Sequence, residues 1–97
     1  MKNSSKILVV DDEVDLCEIM QFNLQSEGFE VDTALSAEDA LKLNLEEYQL
    51  FLFDVMMGGM SGFKLADIIR NKQKIQTPII FVTAKTGETN LLTGFNV

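Results

Sequence analysis

Three short runs in this chain are apolar at every position: Ile7-Leu8-Val9-Val10, Leu50-Phe51-Leu52-Phe53 and Ile79-Ile80-Phe81-Val82. A strand with one wet face alternates apolar and polar residues. A strand apolar on both faces must be covered on both, as the inner strands of a parallel sheet are. A fourth run, Phe29-Glu30-Val31-Asp32-Thr33, does alternate and suits a sheet edge. Helical patterns lie between these runs. In the first, Leu16, Met20 and Leu24 recur every fourth residue beside Cys17 and Ile19, and Gly28 ends the segment. The second opens at Ser36, with Asp39 placed for a capping box, and turns Ala37, Ala40, Leu41 and Leu45 inward. The third follows Gly62 with Leu65, Ala66 and Ile69 inward, and Pro78 leads into the next strand. A weakly patterned stretch from Gly87 to Phe95 is a candidate last helix. Strict alternation with short connections predicts right-handed βαβ crossovers and a three-layer α/β fold. At 97 residues the chain can build one core only.

The ends of the same runs carry the chemistry. Asp11 and Asp12 follow the first, Asp54 follows the second and Thr83 follows the third. In an open α/β sheet these positions all fall at the carboxyl edge, where ligands bind. Three carboxylates in one crevice repel one another unless they are protonated or share a cation. Oxygen ligands in a shallow site that keeps its waters suit Mg²⁺. Asp11 and Asp12 by themselves are equally well read as caps of the first helix. Asp54 resists that reading, because it terminates the most apolar run, where a lone charge is costly.

Composition closes other routes. There is no histidine, which excludes an imidazole base, His-ligated zinc and a Ser-His-Asp triad. Cys17 stands alone, so an internal disulfide and a thiolate metal cluster are excluded too. Asp plus Glu number 15 against 8 Lys plus Arg, a net charge of -7, which repels a nucleic-acid backbone. No stretch resembles a signal-peptide core or approaches the roughly 20 apolar residues of a membrane span. A cytoplasmic location, with no membrane or nucleic-acid partner, is expected. Met56, Met57 and Met60 read as packing rather than a soft-metal site. Cys17 reads as a buried helix residue and Glu46-Glu47 as a solvated helix end.

Three motifs in order then carry a resemblance. They are Ile7-Leu8-Val9-Val10-Asp11-Asp12-Glu13, the segment Leu52-Phe53-Asp54-Val55-Met56-Met57-Gly58-Gly59-Met60-Ser61-Gly62, and Pro78-Ile79-Ile80-Phe81-Val82-Thr83-Ala84-Lys85. Together they resemble the receiver domain of bacterial two-component response regulators, over essentially all of the chain. The resemblance implies a flavodoxin-like (CheY-like) fold with sheet order 2-1-3-4 and an aspartyl-phosphate switch. It makes Asp54 the phosphoacceptor, attacking a phosphoryl group carried on a histidine of a partner sensor kinase. It makes Asp12 a direct Mg²⁺ ligand, Asp11 a ligand acting mainly through metal-bound water, and the Met56 carbonyl a further ligand; Asp54 completes the metal set. Thr83 becomes the hydroxyl that senses the phosphoryl group.

Two departures from the family pattern stand out. Gly58 occupies a position where the family usually has Pro, and Gly58-Gly59 is expected to loosen that loop. The family's phosphoryl-pairing lysine lies at the end of a fifth strand, and the chain stops at Val97 before any such strand is expected; Lys85 matches only a flanking loop position. On this reading residues 1–97 form a truncated receiver domain, Ile79–Val82 becomes an exposed edge, and chains associate through that side. Slow phosphoryl uptake is expected for want of the lysine. Two other functions compete with the switch. One is a receiver-like interaction domain that is never phosphorylated. The other is a Mg²⁺-dependent phosphohydrolase, for which Val55-Met56-Met57 offers no second acid or base beside Asp54.

Overall fold

A computed structural model of the chain describes residues 5–82 and 92–95. The elements run β1 (Lys6–Val10), α1 (Val14–Ser26), β2 (Glu30–Ala34), α2 (Ala37–Ala40), a 3₁₀ turn (Leu45–Glu47), β3 (Leu50–Asp54), α3 (Gly62–Asp67) continued by a π turn (Ile68–Lys72), β4 (Ile79–Val82) and β5 (Leu92–Phe95). They form one sheet of order β2-β1-β3-β4-β5. The first three pairings are parallel, with Val9 opposite Thr33 and Leu52, and Phe53 opposite Phe81. The expected order 2-1-3-4 is present, with the alternating segment at the edge.

Period-two alternation sorts the strand residues to two faces. Leu8, Val10, Phe51, Phe53, Ile79 and Phe81 pack with Ala37, Ala40, Leu45, Leu65, Ala66 and Ile69 beneath α2 and α3. Ile7, Val9, Val31 and Leu52 pack with Cys17, Met20 and Leu24 of α1. These are the three layers the apolar runs required.

Three features depart from the expected elements. Ile19 is 55% exposed. At about 100° per residue it lies on the far side of α1 from Cys17 and Leu24, so adjacency in sequence placed it on the wrong face. The second helix is one turn long. Its Ser36 cap holds, with the Asp39 amide donating to Ser36 Oγ at 3.0 Å. Beyond it, Asn44 donates to Glu47 Oε2 at 3.1 Å, and such local bonds favour a turn over continued helix. Leu45 still reaches the core from the 3₁₀ turn. Glu47 is not simply solvated: Lys6 Nζ lies 2.8 Å from Glu47 Oε1, an ion pair that raises the lysine and lowers the carboxyl in pKa.

The largest correction concerns the fifth strand. It was expected to be absent, with the last segment at most helical. Instead Leu92–Phe95 pairs antiparallel with β4, Ile79 opposite Phe95 and Val82 opposite Leu92. An apolar strand presents a row of backbone donors and acceptors that need partners. The chain's own segment meets that need, which removes the uncovered β4 edge from which association between chains was expected.

Lys74 is the one described non-glycine residue with positive φ, at 58°. A left-handed conformation crowds Cβ against the following carbonyl, at about 1–2 kcal/mol, part of which glycine gives back as unfolded-state entropy. Lys74→Gly should therefore stabilise the fold by about 0.5–1 kcal/mol, read as a higher denaturation midpoint at constant slope. A lower midpoint would show that Lys74 makes a compensating contact.

Candidate functional site

Parallel pairing of β1 with β3 brings the carboxyl ends of both strands side by side. Asp11 continues the β1 ladder by donating its amide to the Ala34 carbonyl at 3.1 Å, and it is 4% exposed. Asp54, the last residue of β3, stands opposite Val82 and is 3% exposed. Asp12, the residue after Asp11, is exposed. One carboxylate oxygen from each of the three lies within 4.8 Å of the others.

Each acid is anchored by a backbone amide. Glu13 N–H donates to Asp11 Oδ1 at 2.9 Å and Met56 N–H donates to Asp54 Oδ1 at 3.3 Å, both across two residues. Gly58 N–H donates to Asp12 Oδ2 at 3.0 Å, joining segments 46 residues apart. Glu13 is the N-cap residue of α1 and its own side chain makes no capping bond; Asp11 instead accepts the amide of that residue. Two like charges at this spacing repel by about 3 kcal/mol at an effective dielectric of about 20. Amides offset part of that repulsion, and a divalent cation would offset far more. An all-oxygen donor set from two buried residues and one exposed one, open to solvent at Asp12, fits Mg²⁺.

The loop after Asp54 is held from below. Met57 is buried and Met60 packs against the same core, whereas Met56 is 63% exposed. The methionines thus serve packing, and Met56 meets the site through its peptide. At the start of α3, Gly62 N–H donates to the Val55 carbonyl at 3.1 Å, and Ser61 Oγ accepts from Lys64 N–H at 3.1 Å. A Cβ on Gly62 would collide with the Asp54 carbonyl oxygen. Glycine is therefore what lets α3 close directly onto the end of β3. Phe63 rests on Phe81, ring centroids 4.6 Å apart, and ties α3 to β4.

Cys17 is buried beneath the site, and its thiol donates to the Asp11 carbonyl at 3.3 Å. Burial first, then the Asp11 charge, pushes its pKa up to about 11. It is an inert packing residue, as its helix position suggested. Thr83 and Lys85 lie outside the described residues. The structure thus brings Asp11, Asp12 and Asp54 together and adds three contributors that residue type alone did not reveal: the Gly58 amide, the Met56 amide and the space left by Gly62. The Gly58-Gly59 pair was a visible signal, but of looseness rather than of a donor.

The response regulator receiver domain model matches residues 7–97. The chain is 40% identical over 94 residues to the transcriptional regulatory protein ResD of Bacillus subtilis, covering 96% of this chain and 38% of that protein. It is 39% identical over 93 residues to SrrA of Staphylococcus aureus, covering 95% and 38%. The chain thus spans about two-fifths of the length of these relatives. Among solved structures, the response regulator TrrA of Thermotoga maritima in complex with Mg²⁺-BeF superposes with a TM-score of 0.76 at 43% identity, covering 86% of this chain and 72% of that one. The chemotaxis protein CheY4 of Vibrio cholerae superposes at 0.75 with 31% identity, covering 81% and 68%.

The seat of α3 can be tested directly. Gly→Ala ordinarily stabilises a helix, but here the added methyl must push α3 off β3. Gly62→Ala should lower stability by about 1–3 kcal/mol in chemical denaturation. A variant at least as stable as the parent would show that α3 can retreat without loss.

Proposed function

The chain belongs to the response regulator receiver domain family, a family of phosphoacceptor modules in two-component signalling, and on that premise we propose that Asp54 is its phosphoacceptor. The observation that carries this is the convergence of Asp11, Asp12 and Asp54 within 4.8 Å at the carboxyl edge. In the reaction, a carboxylate oxygen of Asp54 attacks phosphorus on the phosphohistidine of a sensor histidine kinase. The P–N bond breaks with its electron pair passing to the imidazole, and an acyl phosphate remains on Asp54. Asp12 and Asp54, Asp11 through water, and the Met56 carbonyl would hold Mg²⁺. When bound, Mg²⁺ supplies the positive charge that offsets these carboxylates and the transferring oxygens. The Mg²⁺-BeF complex of the TrrA neighbour supports this choice of metal.

The chain's own groups supply positioning. The Met56 amide fixes the rotamer of Asp54, and the buried floor of Phe53, Phe81 and Met57 keeps water from beneath it. Thr83 is proposed as the hydroxyl that reports the phosphoryl group. No carboxylate follows Asp54 in Val55-Met56-Met57, so the product is a modified protein rather than a turned-over substrate, and the module is not an independent enzyme. No helix among the described residues is long and apolar enough to cross a membrane. The cytoplasmic placement proposed here rests on the lone free cysteine, which suits a reducing compartment.

Two measurements test the reading. Millimolar Mg²⁺ should raise the melting temperature of the parent, since it binds the native site and relieves the repulsion there, and Asp12→Asn should shrink that shift. A parent melting temperature indifferent to Mg²⁺ would remove the metal from the site. With Mg²⁺ and a small phospho-donor, intact-mass analysis should find one acid-labile phosphoryl adduct on the parent and none on Asp54→Asn. An adduct surviving that substitution would move the acceptor to another carboxylate.

A further inference from the structure

Of the three amides described above that donate to the acids, two come from the acid's own turn. The third does not. Gly58 N–H reaches Asp12 Oδ2 at 3.0 Å from the loop between β3 and α3, on a different part of the chain. Asp12 is also the exposed member of the trio, the one whose side chain burial does least to fix. The same loop turns through Gly59 at φ 84°, beside the Glu38 carboxylate of α2. A Cβ at that position would lie 3.9 Å from Glu38 Oε2, so the loop passes between two acids and offers its amide to one of them.

We infer that Gly58 is a positioning residue whose backbone N–H clamps Asp12 and thereby links Mg²⁺ binding to the order of the β3–α3 loop. The inference rests on Asp12 being a metal ligand, as proposed above. A donor on one carboxylate oxygen holds the group in a single orientation and lowers the repulsion it feels from Asp11 and Asp54 before any cation arrives. The entropy of fixing Asp12 is then met on folding and not on binding. Because the bond is mutual, a cation that holds Asp12 also holds the loop. Substitution separates the donor from the flexibility of glycine. Proline deletes the N–H. Alanine keeps it, and its methyl would find Asp12 Oδ2 no nearer than 3.9 Å, at a residue whose φ is not in the left-handed region.

The test uses Mg²⁺ alone as probe, titrated calorimetrically, together with amide exchange of the metal-free protein. Gly58→Pro should weaken Mg²⁺ binding by about three- to tenfold, the worth of one partly exposed bond to a charged acceptor. Gly58→Ala should bind within about twofold of the parent, by the same reasoning. In the absence of metal, the Gly58 amide should be protected in the parent and exchange at least about tenfold faster in Asp12→Ala, where its acceptor is gone. That last measurement decides the clamp even where the proline variant does not fold. An alanine variant that loses as much affinity as proline, a folded proline variant that loses none, or Gly58 exchange indifferent to Asp12→Ala would overturn the clamp. A parent that does not bind Mg²⁺ while its Gly58 amide depends on Asp12 would overturn the metal reading and leave the hydrogen bond standing.

Discussion

Two carboxylates, Asp11 and Asp54, are held almost entirely out of water at the ends of two of the most apolar strands in the molecule. The hydrophobic floor pulls the strand ends together, and the acids they carry push apart. Burial of Phe51, Phe53, Phe81, Leu8 and Val10 supplies the attraction, each large side chain contributing about 1.5–3 kcal/mol on removal from water. Against this, each charge must be desolvated and placed beside another. The fold tolerates the arrangement because backbone amides from adjoining turns face the acids, and because the site opens to solvent at Asp12. A cation held by the three acids, as proposed above, would relieve that tension.

The same opposition accounts for the form of the surrounding loops. The turn after β1 is short enough for Glu13 to reach back to Asp11, and α1 starts at once. The loop after β3 is longer, floored by Met57 and Met60 and ended by Gly62 against the Asp54 carbonyl. That close approach draws α3 in and places Phe63 on Phe81. The end of β3 is thereby in direct mechanical contact with α3, and α3 with β4. At the other end of the sheet, Tyr48 Oη donates to Asp32 Oδ2 at 2.7 Å and Lys6 pairs with Glu47, tying the 3₁₀ turn to β1 and β2 away from the acids. The amino-terminal edge is cross-linked by contacts between side chains, whereas at the carboxyl edge the acids are held by backbone amides.

Much of this was legible in the residues. A run apolar at every position has one physical solution, burial on both faces, so Ile7–Val10, Leu50–Phe53 and Ile79–Val82 dictated inner parallel strands and helices on either side. The acids at the ends of those runs followed, since strand direction in a parallel sheet sends all carboxyl ends to one edge. Ser36 and Cys17 likewise behaved as local chemistry requires. What the residues did not reveal depends on distance through space. Whether Leu92–Phe95 would pair with β4 is a competition between local helical preference and an unsatisfied strand edge, and periodicity measures only the first. Ile19 was misplaced because adjacency in sequence is not adjacency on a helix.

The site divides along the same line. Sequence alone picked out the side chains that meet, because charge at the end of an apolar run is costly, and it determined the edge on which they meet. Only the tertiary structure decided how they are held. The Gly58 amide is a backbone group that every residue but proline possesses, so no residue type announces it; it becomes a ligand for Asp12 only when two loops 46 residues apart are brought within hydrogen-bonding reach. The seat of Gly62 is likewise a matter of absent volume, visible only against the carbonyl of Asp54 that fills the space where a side chain would be.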